Sequence, residues 1–447
     1  MGQGAIAPVI ALSALDLGAS VGVASLVVGA MGVGQLLADV PAGSLTMRVG
    51  ERGAMLLATL LLCGALLVCV FAPSVWLLGI AIGLTGAAGS VWQLARQAYL
   101  TEAVATHMRA RALSTLGGVQ RIGTFLGPFV GAAAMQLGGT DGAYWTHIAA
   151  AGCAATLLLV LPDVTKDASA GRAPVKTGIA TVIRRHGPVL RTLGIGVMLV
   201  GLVRASRLAV IPLWAASIGL SSTTTALIFG LSSAVDMLLF YPAGKVMDRF
   251  GRVWVAVPCM LLMGLGLVAV PFTTGALTLA LASALMGLGN GMGSGLVMVL
   301  GADASPSVGR AGFLGVWRLF SDAGSSGGPI LLGAVAGVAG LAAGVWVVGA
   351  AGLAGAAAMW RWVPRLPRDG RVPRRSPVPE TRADGGLGAQ DRQAPSAGWF
   401  RRGRWRRAGP SSVGWAERRR FGSRRRVAPD RSGLARSSET AAVYPGP

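Results

Sequence analysis

The feature that most constrains this chain is a set of long segments without any charged residue. Residues 53–95 are 43 consecutive residues lacking Asp, Glu, Lys and Arg, and the 50 residues between Arg252 and Asp303 are equally uncharged. A helix crosses the hydrocarbon core of a bilayer with about 20 apolar residues, so each segment is long enough for two membrane helices. Charged residues are 13% of the chain, about half the share in a soluble domain. A soluble multidomain protein is therefore excluded.

The apolar segments predict eleven membrane helices from residue 20 onward, preceded by a short apolar start at residues 5–15. Loop Lys and Arg residues follow the second, fourth, sixth, eighth and tenth helices, whereas the intervening loops have none. Cytoplasmic loops of membrane proteins are enriched in Lys and Arg. The pattern therefore predicts a multi-pass protein of the plasma membrane with both termini in the cytoplasm.

The sequence also repeats itself at a distance of 201 residues. A Pro-Ala-Gly triplet followed by Arg and Gly begins at Pro41 and again at Pro242, and a Gly-x-x-x-Gly-Pro motif ends at Pro128 and again at Pro329. A repeat of six helices keeps its orientation, so the halves are parallel copies with a substrate site expected between them near the midplane. The predicted organisation is an N-terminal six-helix half, a cytoplasmic linker, a C-terminal six-helix half and a tail, at residues 1–161, 162–190, 191–361 and 362–447.

The segment from Gly244 to Arg252 resembles the signature of the major facilitator superfamily in the loop between the second and third helices of a half. The first copy departs from that signature at Met47, where the family usually has Asp. The Gly-Pro motif that ends at Pro128 is similar to the fifth-helix signature of drug-efflux antiporters, and Arg96 is similar to the family's fourth-helix arginine. The resemblance covers about residues 1–361.

This resemblance implies an all-α integral membrane fold of six plus six helices that transports by alternating access. The repeat places the start of the first helix about ten residues before Met1, because the seventh helix begins near Arg191. The first helix is therefore expected to be incomplete. A non-transporting remnant stays open as an alternative for that reason.

Charged residues inside the spans are the candidate substrate and proton sites. Each would cost about 2.5–3.5 kcal/mol at mid-bilayer, so eight without partners would exceed a typical folding stability of about 5–15 kcal/mol. They are expected to pair, to face a water-filled cavity or to lie near the interface. The eight residues are Asp39, Arg96, Arg121, Arg204, Arg207, Asp236, Arg318 and Asp322.

The spacing of these residues suggests specific roles. Arg318 and Asp322 are four apart on one helix face and can pair. Arg204 and Arg207 are three apart and are expected on a cavity wall. Asp236 lies six residues before Pro242, about 9 Å into the membrane at about 1.5 Å per residue, and is the first candidate for proton coupling. An ion pair between Asp236 and Arg204 or Arg207 is the rival interpretation.

Two further sets of motif residues have predicted structural roles. The loop motifs predict a cytoplasmic gate in which arginines and Asp248 latch one half to the other, with simple anchoring by the arginines as the alternative. The gate residues are Gly43, Arg48, Gly50, Arg52, Gly244, Asp248, Arg249, Gly251 and Arg252. The Gly-Pro motifs are expected to bend their helices, because proline removes a backbone hydrogen bond. They comprise Gly123, Gly127, Pro128, Gly131, Gly324, Gly328 and Pro329.

Motif absences narrow the function further. The sequence has no recognisable ATP-binding loop, hydrolytic triad or metal-ligand cluster, so we expect no enzyme activity, no cofactor and no metal. The expected function is efflux of a small molecule coupled to protons, with an importer of the same fold as the alternative. A monomer is expected.

The tail carries most of the excess positive charge. From residue 361 onward it holds 21 Arg and 7 acidic residues and is expected to be disordered. An extension without a selected role is one interpretation of the tail, and contact with anionic lipids of the inner leaflet is the other. Nucleic-acid binding is not expected.

Overall fold

The computed structural model describes residues 1–104, 108–160, 179–306 and 310–363, and within these ranges the chain is built from helices without a strand. A π-helical turn (Leu190–Gly194) and a 3-10 turn (Val270–Phe272) accompany the α-helices. The α-helices are α1 Gly2–Ile6, α2 Val9–Asp16, α3 Val21–Val70, α4 Val75–Ala103, α5 Arg109–Gly138, α6 Asp141–Val160, α7 Ile179–Val189, α8 Ile195–Ser217, α9 Ser222–Phe250, α10 Val253–Ala269, α11 Ala276–Met292, α12 Leu296–Ala304, α13 Arg310–Ala339 and α14 Leu341–Trp362.

The helix lengths confirm a polytopic membrane fold. Over the described ranges, nine stretches are long and apolar enough to cross a membrane, and α3 supplies two of them, Val21–Asp39 and Pro41–Val70. The remaining long helices, α5 and α13, have 30 residues each and carry intramembrane charges. With them the eleven predicted spans are present as helices, and α1 and α2 occupy the short apolar start. We refer to α1–α6 as the first half and to α8–α14 as the second half.

The backbone shows the 201-residue repeat directly. Six glycines with positive φ fall into three pairs separated by that distance, and each pair lies at equivalent helix ends or breaks. Positive φ is accessible to glycine without steric cost, so these residues fix where each half turns. The pairs are Gly18 (φ 80) with Gly219 (φ 77), Gly50 (φ 74) with Gly251 (φ 100), and Gly139 (φ 60) with Gly340 (φ 88).

Helix starts repeat in the same way. The Ser20 hydroxyl accepts a hydrogen bond from the Val23 amide at 3.4 Å, and Ser221, 201 residues later, accepts one from the Thr224 amide at 3.2 Å. Each serine satisfies an amide that has no partner within its helix. Helices α3 and α9 therefore begin with the same cap.

The two halves meet along two equivalent helix pairs. α3 packs on α13, where the Ser25 hydroxyl donates to the Pro329 carbonyl at 2.6 Å and a Cβ on Gly32 would lie 2.9 Å from the Ser326 Cα. α5 packs on α9, where a Cβ on Gly230 would lie 2.8 Å from the Phe129 ring. Small residues bring the helices close, as is usual in membrane bundles.

Parts of the predicted organisation lie outside the described residues. Residues 161–178 hold most of the predicted linker, and residues 364–447 hold nearly all of the predicted tail. The end of the linker prediction overlaps helix α7. The boundaries of the four segments stay predictions.

Candidate functional site

A first group of charged residues links α3 to α13, and we call it the carboxylate cluster. It consists of Asp39 on α3, Ser90 on α4, and Arg318 and Asp322 on α13. Arg318 Nη2 lies 3.5 Å from Asp39 Oδ1, and Arg318 Nε lies 3.3 Å from Asp322 Oδ2. The Ser90 hydroxyl donates to Asp39 Oδ1, and the Asp39 and Asp322 carboxylates both lie against the Arg318 guanidinium group. The predicted Arg318–Asp322 pair is confirmed, and it extends across the halves to Asp39.

The carboxylate cluster has one positive and two negative groups. The Asp39 side chain is only 9% exposed, and its Oδ2 is buried without a hydrogen-bond partner among the described residues. Two carboxylates this close repel each other when both are ionised.

A second group links α5 to α8, α9 and α11, and we call it the arginine cluster. It consists of Arg121, Arg204, Arg207, Asp236 and Asn290. Arg121 Nη1 lies 3.9 Å from Asp236 Oδ1, across the two halves. The Asn290 side-chain amide donates to Asp236 Oδ2, and Arg204 Nη2 donates to the Asn290 carbonyl at 3.3 Å. The ion-pair partner of Asp236 is thus Arg121, and in the described part of the chain neither Arg204 nor Arg207 lies within ion-pair distance of it.

Aromatic rings and a hydroxyl support two of these guanidinium groups. The Arg207 side chain is buried, donates from Nη1 to the Ser232 hydroxyl at 3.0 Å and lies 5.4 Å from the Phe229 ring centroid. The Arg121 guanidinium lies 4.3 Å from the Phe240 ring centroid. Such contacts stabilise a cation over an aromatic face. They hold both arginines in place without neutralising them.

The two clusters occupy equivalent places in the repeat. Arg121 and Asp322 are 201 residues apart, as are Asp39 and Phe240. In one interface Asp39 faces Asp322, and in the other Phe240 faces Arg121. The same architectural position therefore carries an acid pair in one copy and a cation on an aromatic ring in the other.

Arg96 lies in neither cluster. Its Nη2 donates to the Gln120 side-chain carbonyl at 2.8 Å, so it joins α4 to α5 within the first half. Its Nε is buried without a partner in the described part of the chain. Its predicted role in the cavity stays a prediction.

The predicted gate arginines make their contacts within one half. Arg52 Nη2 donates to the Leu159 carbonyl at 3.0 Å, and Arg252 Nε donates to Asp303 Oδ2 at 2.9 Å. The other charged members, Arg48, Asp248 and Arg249, are exposed. Among the predicted gate glycines, Gly50 and Gly251 have the positive φ values described above, whereas Gly43 and Gly244 lie inside helices. A latch between the halves stays a prediction.

The glycines of the Gly-Pro motifs are sites of close helix contact. Gly123, Gly127 and Gly131 face α1, and Gly324 and Gly328 face α8, where a Cβ would overlap the Met198 and Leu202 carbonyl oxygens. Pro128 and Pro329 lie inside continuous 30-residue helices. The motif thus positions α5 against α1 and α13 against α8, and the helix bend itself stays a prediction.

The sequence did not predict three polar residues that contact the charged residues of the clusters. Ser90, Ser232 and Asn290 contact Asp39, Arg207 and Asp236. They carry no charge, so the pattern of charged residues within the spans does not single them out. The amide of Asn290 in a long uncharged segment is the sequence feature that indicates a polar contact, because polar residues inside membrane helices are expected to face partners.

Over the described residues, no group of three or more His, Cys, Asp or Glu side chains could hold a metal ion. An apolar cleft of about 600 Å³ lies between α3, α4 and α13. Its lining includes Leu37 and Ala38, next to Asp39, but has no charged side chain to orient a ligand. The two charge clusters are therefore the candidate functional site.

Two pseudo-symmetric helical halves joined by intramembrane ion pairs define a multi-pass membrane protein of the transporter class. The chain belongs to the Major Facilitator Superfamily, whose family model matches residues 1–204 and 193–426.

Its relatives include multidrug resistance protein MdtH of Yersinia pestis (strain Pestoides F) and of Yersinia pseudotuberculosis serotype O:1b. Each is 25% identical over 323 residues, covering 70% of this chain and 77% of the relative. The fold is similar to a crystal structure of a D-xylose-proton symporter, with a TM-score of 0.63 and 17% identity over 83% of this chain and 96% of that chain. The inward-open xylose transporter XylE from E. coli also has a TM-score of 0.63, with 16% identity over 81% of this chain and 94% of that chain.

Proposed function

We propose that this protein is a proton-coupled exporter of a small molecule, resident in the plasma membrane with both termini in the cytoplasm. The observation that carries the proposal is the pair of charge clusters, each of which joins a helix of the first half to a helix of the second. Relative motion of the halves must break or rearrange these contacts, as alternating access requires. The multidrug resistance relatives support export.

The carboxylate cluster is the proposed proton site. Asp39 receives Ser90 from α4 and Arg318 from α13, and it faces Asp322 on the same helix as Arg318. One arginine cannot neutralise two carboxylates, so a proton completes the charge balance. Asp236, the first candidate from the sequence, instead has both Arg121 and the Asn290 amide as partners.

Protonation of the pair changes the contact between the halves. With both acids ionised, Arg318 attracts Asp39 across the interface as well as Asp322 on its own helix. A proton on Asp39 removes its attraction to Arg318, which frees α3 to move relative to α13. One charge moving through 100 mV supplies about 2.3 kcal/mol, enough for about a 50-fold substrate gradient.

Everted membrane vesicles with an acidic lumen test the proposal, because an exporter then carries its substrate inward. We expect accumulation of at least one compound from a broad panel of labelled drugs. Asp39→Asn and Asp322→Asn should abolish gradient-driven accumulation while substrate exchange without a gradient persists. Asp236→Asn should retain coupling to the gradient. Asp16→Asn, at an exposed carboxylate that ends α2, is the matched control and should behave like the parent.

Two outcomes would contradict this account. Accumulation that survives Asp39→Asn and Asp322→Asn but disappears in Asp236→Asn would identify Asp236 as the proton site. No accumulation of any compound by the parent protein favours a membrane protein that does not transport.

A further inference from the structure

The arginine cluster is positively charged well inside the protein. Arg121, Arg204 and Arg207 are opposed by the single carboxylate of Asp236. Arg204 is near enough to both Arg121 and Arg207 for their like charges to repel. Three guanidinium groups and one carboxylate leave an excess of two positive charges in a membrane-spanning region, where unpaired charge is costly.

The hydrogen-bonding groups of the cluster are also incompletely used. Arg207 is 7% exposed, and its Nε has no partner among the described residues. The Nε of Arg204 is likewise buried without a partner there. A buried donor without an acceptor destabilises the fold, and an ionised acceptor would satisfy such donors with charge-assisted bonds.

Gly293 has no side chain, and this leaves room for the guanidinium group of Arg204. A Cβ on Gly293 would lie 2.6 Å from Arg204 Nη2. Gly293 lies where α11 ends, and α12 begins at Leu296 after Gly295, whose φ is 79. The membrane span is thus interrupted beside Arg204. Interrupted helices of this kind form substrate sites in other transporters.

We propose that the arginine cluster is the substrate site and that the substrate is an organic anion, held through a carboxylate, sulfonate or phosphate group. This assignment rests on the proposed transport function and adds the chemical class of the cargo. The anion replaces Asp236 as the partner of Arg121 and fills the unused donors of Arg204 and Arg207.

Binding at this place acts on the contact between the halves. Arg121 belongs to α5 of the first half and Asp236 to α9 of the second. An anion that engages Arg121 competes with Asp236 and so changes the relative stability of the conformations. A ligand shifts a conformational equilibrium only through such a difference in affinity.

Ligand-induced thermal stabilisation of the purified full chain tests the charge class without any transport step. The protein is placed in phosphatidylcholine nanodiscs, which contain no anionic lipid. The probes are benzoate, naphthalene-1-sulfonate and phenyl phosphate, with naphthalene-1-sulfonamide and naphthylmethylammonium as the neutral and cationic counterparts. At least one anion should raise the melting temperature in a saturable manner, and the neutral and cationic probes should not. Failure of all three anions, or equal stabilisation by the cation, overturns the proposal.

Variants locate the site. Arg204→Gln should raise the apparent Kd of the stabilising anion about tenfold or more, because it removes a charge-assisted interaction, and Arg204→Lys should restore part of the affinity. Arg361→Gln, at an exposed arginine in the last turn of α14, is the matched control and should bind like the parent. Arg204 is preferred to Arg207 because Arg207 is buried and its loss affects folding. An unchanged Kd in Arg204→Gln contradicts the site.

A lipid headgroup could offer the same anionic chemistry, and a second membrane composition separates the two sources. The probe titration is repeated in nanodiscs that contain phosphatidylglycerol. An unchanged apparent Kd supports a site reached by a soluble anion. Competitive weakening by phosphatidylglycerol assigns the cluster to lipid and overturns the substrate assignment. Because this experiment measures binding, the anion-site proposal can fail while proton-driven efflux is still observed. Likewise, the protein can bind the anion without showing proton-driven efflux.

Discussion

Arg318 contacts two carboxylates, one on its own helix and one on the opposite half of the molecule. Its distances to Asp39 and Asp322 are 3.5 and 3.3 Å, and its side chain is 31% exposed. Partial exposure weakens each ion pair. Arg318 therefore stabilises the protein less through the strength of either ion pair than by offsetting the repulsion between the two neighbouring carboxylates.

We expect Arg318→Gln to destabilise the protein by about 1–3 kcal/mol, with a loss that is larger at high pH. Without the cation, Asp39 and Asp322 repel unless they share a proton, so the folded state binds more protons than the unfolded chain. Stability then falls as pH rises. Melting temperatures at about pH 5.5 and about pH 8 measure the effect on either side of neutrality.

A second substitution shows whether repulsion is the cause. The double variant Asp39→Asn with Arg318→Gln carries a single acid in the cluster and should regain stability at high pH relative to Arg318→Gln. A double variant that melts at or below the single variant at high pH contradicts an interacting acid pair.

The sequence predicted the intramembrane charges but not most of their partners. Arg318 and Asp322 are neighbours on one helix turn, so spacing alone predicted their pair. Asp39 is far from both in sequence, and its position opposite them depends on the packing of α3 on α13. The ion-pair partner of Asp236 was missed for the same reason, since Arg121 belongs to the other half.

Helices α8 and α13 approach closely because glycine replaces larger residues along their contact. A Cβ on Gly324 or Gly328 would overlap carbonyl oxygens of α8, whereas Gly327, on the same helix, has open space. The first half repeats this arrangement where Gly127 meets α1. The motif associated with efflux antiporters is thus a packing surface in both halves, which the sequence motif did not reveal.

Paired substitutions on α13 test this packing. Gly328→Ala should destabilise the protein by about 1–3 kcal/mol, because the added methyl group overpacks the contact with α8. Gly327→Ala should be neutral or stabilise by up to about 1 kcal/mol, because alanine favours helix over glycine. Thermal unfolding in detergent measures both. Equal effects of the two substitutions would show that the α8–α13 contact is looser than described.

The whole molecule is a duplicated bundle whose copies have diverged in charge. Glycine pairs with positive φ, serine caps and proline positions all recur at 201 residues. The sequence predicted this symmetry because backbone turns and helix ends require particular residues. It did not predict that equivalent interfaces would hold acids in one place and arginines in the other, because charge placement follows function rather than fold.

The distance between the helix ends that the proposed topology places in the cytoplasm is the most direct test of proton-controlled motion. Spin labels are placed at Met47→Cys on α3 and at Phe250→Cys, where α9 ends. These residues are 61% and 55% exposed. In a background with the native cysteines replaced, electron–electron resonance measures their separation at about pH 8 and about pH 5.5, on either side of neutrality. We expect longer distances at the lower pH in the parent and no pH response in the Asp39→Asn, Asp322→Asn double variant. Identical distance distributions at both pH values in the parent would contradict the account.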